Sequence, residues 1–304
     1  MNLPIKIVNR LSSFFNSYQE KANFLKALSR QRKADELILL ACCYLDQLGS
    51  CLFPQTGSSK RSFELTLLTH SGERDEFNLI SVADLAADVL WMVETISMIV
   101  PKPGRLEMMS EDNKPLLKFI DQTGVSLTEK FVARLLKSLH DVLKYNFRVH
   151  IKQTKNKESY GEEGSVIDSI MKLREKGAEI KEENIRNLIR EYKYTSILYR
   201  EYRSKAVHEA AGIYVNPKKF WKMTRPYFVE VVSPWFTSSA LKLEFPAIFI
   251  TECLQTCIEC GKRAIIGKGL LPPRIWNAIC DIEELDLMDV EGVEEAKPIK
   301  LKIE

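Results

Sequence analysis

The sequence predicts a mainly α fold: a helical bundle with one small β-hairpin near 226–245. Three observations carry that prediction. Apolar residues recur at three- and four-residue intervals along most of the 304 residues, which is the period of an amphipathic helix. Alternation with β-branched residues gathers in one place, PYFVEVVSP followed by SALKLEFP. The composition, 45% hydrophobic and 28% charged, is that of an ordinary globular protein long enough to bury a sizeable core.

Residues 10–30 place Leu11, Phe14, Phe15, Tyr18, Ala22, Leu25 and Leu28 on one helical stripe. Residues 33–53 form a second helix, ended by Gly49 or by the PQTG turn at 54–57. Its apolar run LILLACCYLDQLGSCLF, 37–53, is short for a membrane span and contains Asp46 and Gln47, so a core helix and no membrane are expected. RSFELTLLTHSG, 61–72, fits a short strand and a short helix equally. Ser81 then caps VADLAADVLWMVETISMIV, with Asp84 as capping-box acid, and PKPG at 101–104 stops that helix.

A further amphipathic helix covers 128–151 through Phe131, Leu135, Leu139, Val142 and Val149. KQTKNKESYGEEGS, 152–165, reads as a loop, and helical character resumes over 166–176. Residues 182–211 carry the longest helical pattern, ended by Gly212. After the hairpin, AIFITECLQTCIECGKRAI reads as a helix, and 281–304 as a charged tail.

Charge excludes little. Lys and Arg number 44 against 41 Asp and Glu, a net +3, so basic residues must cluster to matter for nucleic acid. The opening MNLPIKIVNRLSSFFNSYQE lacks the apolar core and small-residue cleavage site of a secretory leader. Seven cysteines, an odd number with no secretory context, are expected as reduced thiols in a cytoplasmic protein.

Several motifs dissolve on inspection. Cys253, Cys257 and Cys260 match the C-x3-C-x2-C spacing of iron–sulfur sites. The same i, i+4, i+7 spacing lines one helix face with small apolar groups. GKRAIIGKG, 261–269, lacks the four-residue spacing and the Ser/Thr of a phosphate-binding loop. His70, His140, His150 and His208 show no metal-ligand spacing, and no nucleophile elbow or dinucleotide fingerprint occurs. No cofactor and no metal are expected.

YREYRSKAVHEAAG, 199–212, is different. Arg203 and His208 are five positions apart, roughly 140° around an α-helix. Ser204 precedes His208 by one turn and Glu201 by two. An imidazole moves protons near neutral pH, and a guanidinium holds phosphate bidentately and stabilises its developing charge. With the RNA 2′-hydroxyl as internal nucleophile, these groups suit RNA cleavage without a metal. An ordinary reading also exists: a helix-end histidine, with Arg203 paired to Glu201 or Glu209.

RSKAVH resembles the R-x4-6-H signature of the HEPN superfamily. The preceding aromatic-rich helix EYKYTSILYREYRSKAVHEAAG fits the family's signature helix, and KADELILLACCYLDQLGSCLF resembles its first bundle helix. The resemblance covers 33–53 and 183–260. It implies a HEPN-like helical domain over 1–280, with an unmatched elaboration at about 61–180. It also implies a homodimer in which two signature helices meet in a composite site. Many members are metal-independent ribonucleases of prokaryotic toxin–antitoxin, phage-defence or CRISPR systems, leaving a 2′,3′-cyclic phosphate and a 5′-hydroxyl.

On that resemblance Arg203 and His208 are catalytic and Ser204 supports them, and an antitoxin or defence-system protein is a possible partner class. Ser204 stands where the family more often has Asn, Asp or His. Arg134 and His140 in RLLKSLH also satisfy the bare spacing, but with Leu135 after the arginine. NPKKFWKMTRPYF interleaves Lys218, Lys219, Lys222 and Arg225 with Phe220, Trp221 and Tyr227. With Lys205, these basic groups are the candidate RNA contacts, the aromatics offering stacking surfaces. Two non-enzymatic alternatives stand beside this one: a HEPN-type module that binds RNA or protein without cleaving, and a helical scaffold in which Arg203 is ion-paired within its own chain.

Overall fold

The computed structural model describes residues 5–99, 114–122, 129–147, 159–173, 180–209, 217–232, 238–268, 272 and 274–275. The expected stop at PKPG, the Gly212 helix end and the 281–304 tail lie outside them. In chain order the described elements are α1 (Ile5–Arg30), α2 (Ala34–Leu52), α3 (Ser59–His70), α4 (Arg74–Asn78), β1 (Ile80–Ser81), α5 (Val82–Ile99), α6 (Lys114–Gln122) and α7 (Glu129–Phe147). There follow β2 (Tyr160–Gly161), α8 (Glu163–Met171), α9 (Glu182–Arg190), α10 (Tyr194–Ile197), a π-wound segment (Leu198–Glu209), α11 (Pro217–Phe220), β3 (Tyr227–Val232), β4 (Ser239–Glu244) and α12 (Ala247–Lys268). The protein is mainly α, with β3 and β4 forming the expected hairpin from Tyr227↔Glu244 to Val232↔Ser239. Among the described residues no helix is long and apolar enough to cross a membrane.

The described residues divide into two compact units. The first draws on Met1–Asp75, Leu198–Thr224 and Pro246–Glu304; the second draws on Glu76–Ile197 and Arg225–Phe245. In the first unit, α1 packs on α2 and α12, while α2 also packs on α3 and the π-wound segment. The α1 stripe reads out as expected: Leu11, Phe15, Tyr18, Ala22, Leu25 and Leu28 are buried, while Phe14 stays half-buried against Phe15 and Tyr18.

Gly49 does not end α2, which runs on to Leu52 and stops before Pro54. Its role is contact. A Cβ there would lie 2.8 Å from the Ser62 carbonyl oxygen and 2.8 Å from Thr66 Oγ1, so only glycine lets α2 and α3 approach this closely. The 61–72 stretch is helical: α3 is capped by Ser58, whose hydroxyl accepts from the Arg61 N–H.

The second unit surrounds α5 with α7, β2 and the β3–β4 hairpin. Its core joins Val89 and Met92 of α5 to Leu116, Leu139, Ile170 and Leu188 of the neighbouring helices. Part of the expected 152–165 loop is ordered structure: Tyr160 and Gly161 pair with Ser81 and Ile80, and α8 begins at Glu163. The Ser81 cap is present, its hydroxyl accepting from the Asp84 N–H at 3.3 Å. Asp84 does not return a capping-box bond to the backbone; its Oδ2 accepts the Ser81 hydroxyl at 2.5 Å and the Leu243 N–H at 2.9 Å.

The continuous helix expected over 182–211 is broken. The chain leaves helical geometry at 191–193, where the Ser81 N–H donates to the Tyr192 carbonyl at 2.8 Å. The Tyr194 N–H donates to the Leu79 carbonyl at 3.1 Å, and Ile80 bridges to Lys193. Apolar periodicity survives this break because backbone pairing with β1, not a change of side-chain pattern, causes it. Helix resumes at Tyr194 and widens into π winding at Leu198.

Candidate functional site

Arg203, Ser204 and His208 all lie on the π-wound segment, Leu198–Glu209. The i→i+5 repeat of π winding is also the spacing between Arg203 and His208, so the backbone stacks their positions more closely than an α-helix would. The side chains of Lys205 and His208 lie outside the described residues, as does that of Lys218. Ser204 is half-buried.

Arg203 is held within the first unit. Its Nη2 donates to Asp46 Oδ2 at 2.8 Å and its Nε to the same oxygen at 3.2 Å. The two side chains are 16% and 14% exposed, so the pair is largely desolvated while keeping one edge toward solvent. Asp46 is positioned by α2, and its other oxygen, Oδ1, accepts the Ser59 hydroxyl at 2.5 Å. Tyr199 donates from its hydroxyl to Ser59 Oγ at 3.3 Å. The Tyr199 ring also lies 5.3 Å from the Arg203 guanidinium carbon and stands edge-on to Phe63.

A carboxylate, a hydroxyl relay and an aromatic face thus fix one guanidinium. Beside them on α2, burial pushes the Cys43 thiol above its usual range, with Arg203 drawing it down and Asp46 pushing it up. Burial also pushes the Cys42 thiol well up, so neither thiol is set up as a nucleophile.

Arg203 thus meets an acid of α2 that its own segment does not supply. Glu201 pairs with Arg200, Nε to Oε1 at 2.8 Å, and the Glu209 side chain lies outside the described residues. Asp46 was legible in the sequence as a polar interruption of an apolar helix, but its sequence position says nothing about which cation it meets.

The candidate RNA contacts draw on both units. Lys219 is half-buried in α11, and Lys222 is exposed in the turn that follows, its N–H donating to the Lys219 carbonyl at 3.0 Å. Arg225 is exposed and belongs to the second unit. Two of the interleaved aromatics are core residues, which removes them as stacking surfaces. Phe220 is fully buried, packed edge-on against the half-buried Trp221, and Tyr227 is buried in β3.

The competing motifs resolve physically. Cys253 and Cys257 are buried on α12 and Cys260 is half-buried, with the Cys257 thiol donating to the Thr66 carbonyl at 3.6 Å. Burial, reinforced by Cys253 and Cys260, drives the Cys257 thiol far above its usual range, so it behaves as an apolar side chain. Arg134 is exposed and His140 half-buried on α7. Burial, then Lys144, holds the His140 imidazole below its ordinary pKa, against a raising effect of Asp141. Among the described residues no group of three metal-ligating side chains converges.

No family model, curated protein or solved structure matches the chain.

Proposed function

We propose that the first unit carries half of a metal-independent endoribonuclease site, completed by a second copy of the chain, in a cytoplasmic prokaryotic defence or toxin–antitoxin system. On this reading His208 moves the proton, Arg203 stabilises phosphate charge and Ser204 supports them. A neutral imidazole takes the 2′-hydroxyl proton, and the 2′ oxygen attacks the adjacent phosphorus. The P–O5′ bond then breaks, and the leaving oxygen takes a proton from an imidazolium. The products are a 2′,3′-cyclic phosphate and a 5′-hydroxyl, with no change in oxidation state.

The observation that carries the reading is the pre-oriented, solvent-edged Arg203 on a π-wound turn. Such turns are rare and recur at functional sites, and a cation fixed before the reaction needs little reorganisation in the transition state. Lys205, Lys218, Lys219, Lys222 and Arg225 would follow the RNA backbone as a salt-sensitive track.

The Arg203–Asp46 pair within one unit also favours a second reading. There Arg203 is structural, and the protein is a non-catalytic RNA- or protein-binding module, or a helical scaffold. Incubating purified protein with RNA in EDTA separates the three. Cleavage to cyclic-phosphate ends, lost in His208→Ala and Arg203→Ala of unchanged thermal stability, supports the ribonuclease. RNA retention without cleavage selects the binding module, and neither activity selects the scaffold. Cleavage at the wild-type level by both variants would remove the site assignment.

A further inference from the structure

We infer that Asp46 is the positioning residue of the proposed cleavage, with Ser59 and Tyr199 holding it in place. The inference rests on the ribonuclease reading and names how its cation is set. Three contacts point the same way. Nε and Nη2 of Arg203 converge on one oxygen, Asp46 Oδ2. This fixes the guanidinium plane more tightly than a single contact would. The opposite oxygen is engaged by Ser59, so the carboxylate cannot rotate without losing that 2.5 Å bond.

Ser59 in turn accepts from Tyr199, which shares the π-wound segment with Arg203 and lies against its guanidinium. The relay therefore closes on the arginine it orients: Tyr199 to Ser59, Ser59 to Asp46, Asp46 to Arg203. These residues come from α2, α3 and the π-wound segment. Three separately packed elements thereby set one side-chain direction.

A group that orients a transition-state contact affects turnover more than substrate capture. Asp46→Asn keeps the shape and one acceptor but removes the charge that aligns Arg203. In single-turnover and steady-state cleavage assays in EDTA, it should lower kcat roughly ten- to a hundredfold, as small misplacements do. KM should change much less. Asp46→Glu, which restores a carboxylate, should recover part of that loss, and Ser59→Ala and Tyr199→Phe should show smaller losses in the same direction. Thermal unfolding of each variant supplies the folded fraction, and a merely structural role would scale kcat with that fraction while leaving KM alone.

Four outcomes decide. A kcat loss in Asp46→Asn beyond its folded fraction, partly restored in Asp46→Glu, supports the inference. Wild-type or faster turnover in Asp46→Asn, with His208→Ala inactive, overturns the positioning role and leaves the ribonuclease standing; faster turnover would make Asp46 a restraint on Arg203. A kcat loss that only follows the folded fraction overturns it in the same way. A wild-type protein that does not cleave RNA overturns the ribonuclease reading and this inference together.

Discussion

Each unit has a charged cluster, and the two are built differently. In the first unit the Asp46 carboxylate meets the Arg203 guanidinium, with side chains 14% and 16% exposed. In the second, Lys242 lies between two carboxylates, 2.6 Å from Asp88 Oδ1 and 3.6 Å from Asp84 Oδ1. Those carboxylates are 11% and 2% exposed. Both carboxylates of the second cluster accept further hydrogen bonds. Tyr192 donates to Asp88 at 3.0 Å, Ser81 and the Leu243 N–H donate to Asp84, and Trp91 stacks 4.9 Å from the ammonium.

The difference lies in the carboxylates and the backbone. Lys242, itself 20% exposed, ties β4 to α5 by meeting two more deeply buried, hydrogen-bonded aspartates, and its removal leaves those carboxylates without their cation. In the Arg203–Asp46 pair the carboxylate is more exposed than those two, at 14%, and the arginine sits on an unusual backbone, as a group expected to meet a ligand would. Buried carboxylates with engaged oxygens specify packing; an oriented cation on a π-wound turn can also serve chemistry.

The sharpest way to break this comparison is Lys242→Ala. Leaving Asp84 and Asp88 buried beside each other should cost about 3–5 kcal/mol, read by chemical denaturation. A loss no larger than that of a surface lysine would show the cluster to be dispensable. Arg203→Ala should cost less, about 1–2 kcal/mol, because Asp46 is more exposed than the 2% of Asp84 and has no second carboxylate described beside it. A double-mutant cycle with Asp46→Ala isolates the pair, and its coupling should fall below that between Lys242 and Asp88.

The smallest effect is in pH dependence. Burial pushes the Asp84 carboxyl above its usual range, offset in part by Lys242, Ser81 and the Leu243 N–H, while Asp88 adds to the rise. The folded state therefore binds this proton more tightly than the unfolded chain does. Asp84 contributes stability below the unfolded pKa of about 4, and that contribution is lost as pH rises through the folded pKa. Asp84→Asn should flatten that part of the stability–pH curve. A variant curve parallel to the wild type would show that Asp84 is not titrating there.

Periodicity alone placed most helices and the hairpin, because burying an apolar stripe demands the same spacing wherever the helix lies. It misread places where one segment answers another. Gly49 looked like a stop and is a contact with Ser62. The 182–211 pattern looked unbroken, but Ser81 and Leu79 draw its backbone out of helical geometry at 191–194. Arg203 was recognisable from its own spacing to His208, whereas Asp46 stood only as a polar residue in an apolar run.

The amino-acid sequence by itself determined the mainly α class, the β3–β4 hairpin and the Arg203–Ser204–His208 motif, all written in residues close along the chain. Only the tertiary structure decided that Asp46 meets Arg203 across 157 positions, that Ser59 and Tyr199 brace it, and that Phe220 and Tyr227 are core. Local spacing encodes which face of a helix is apolar. Which charge finds which depends on the packing of elements far apart in the chain, and no local period records that.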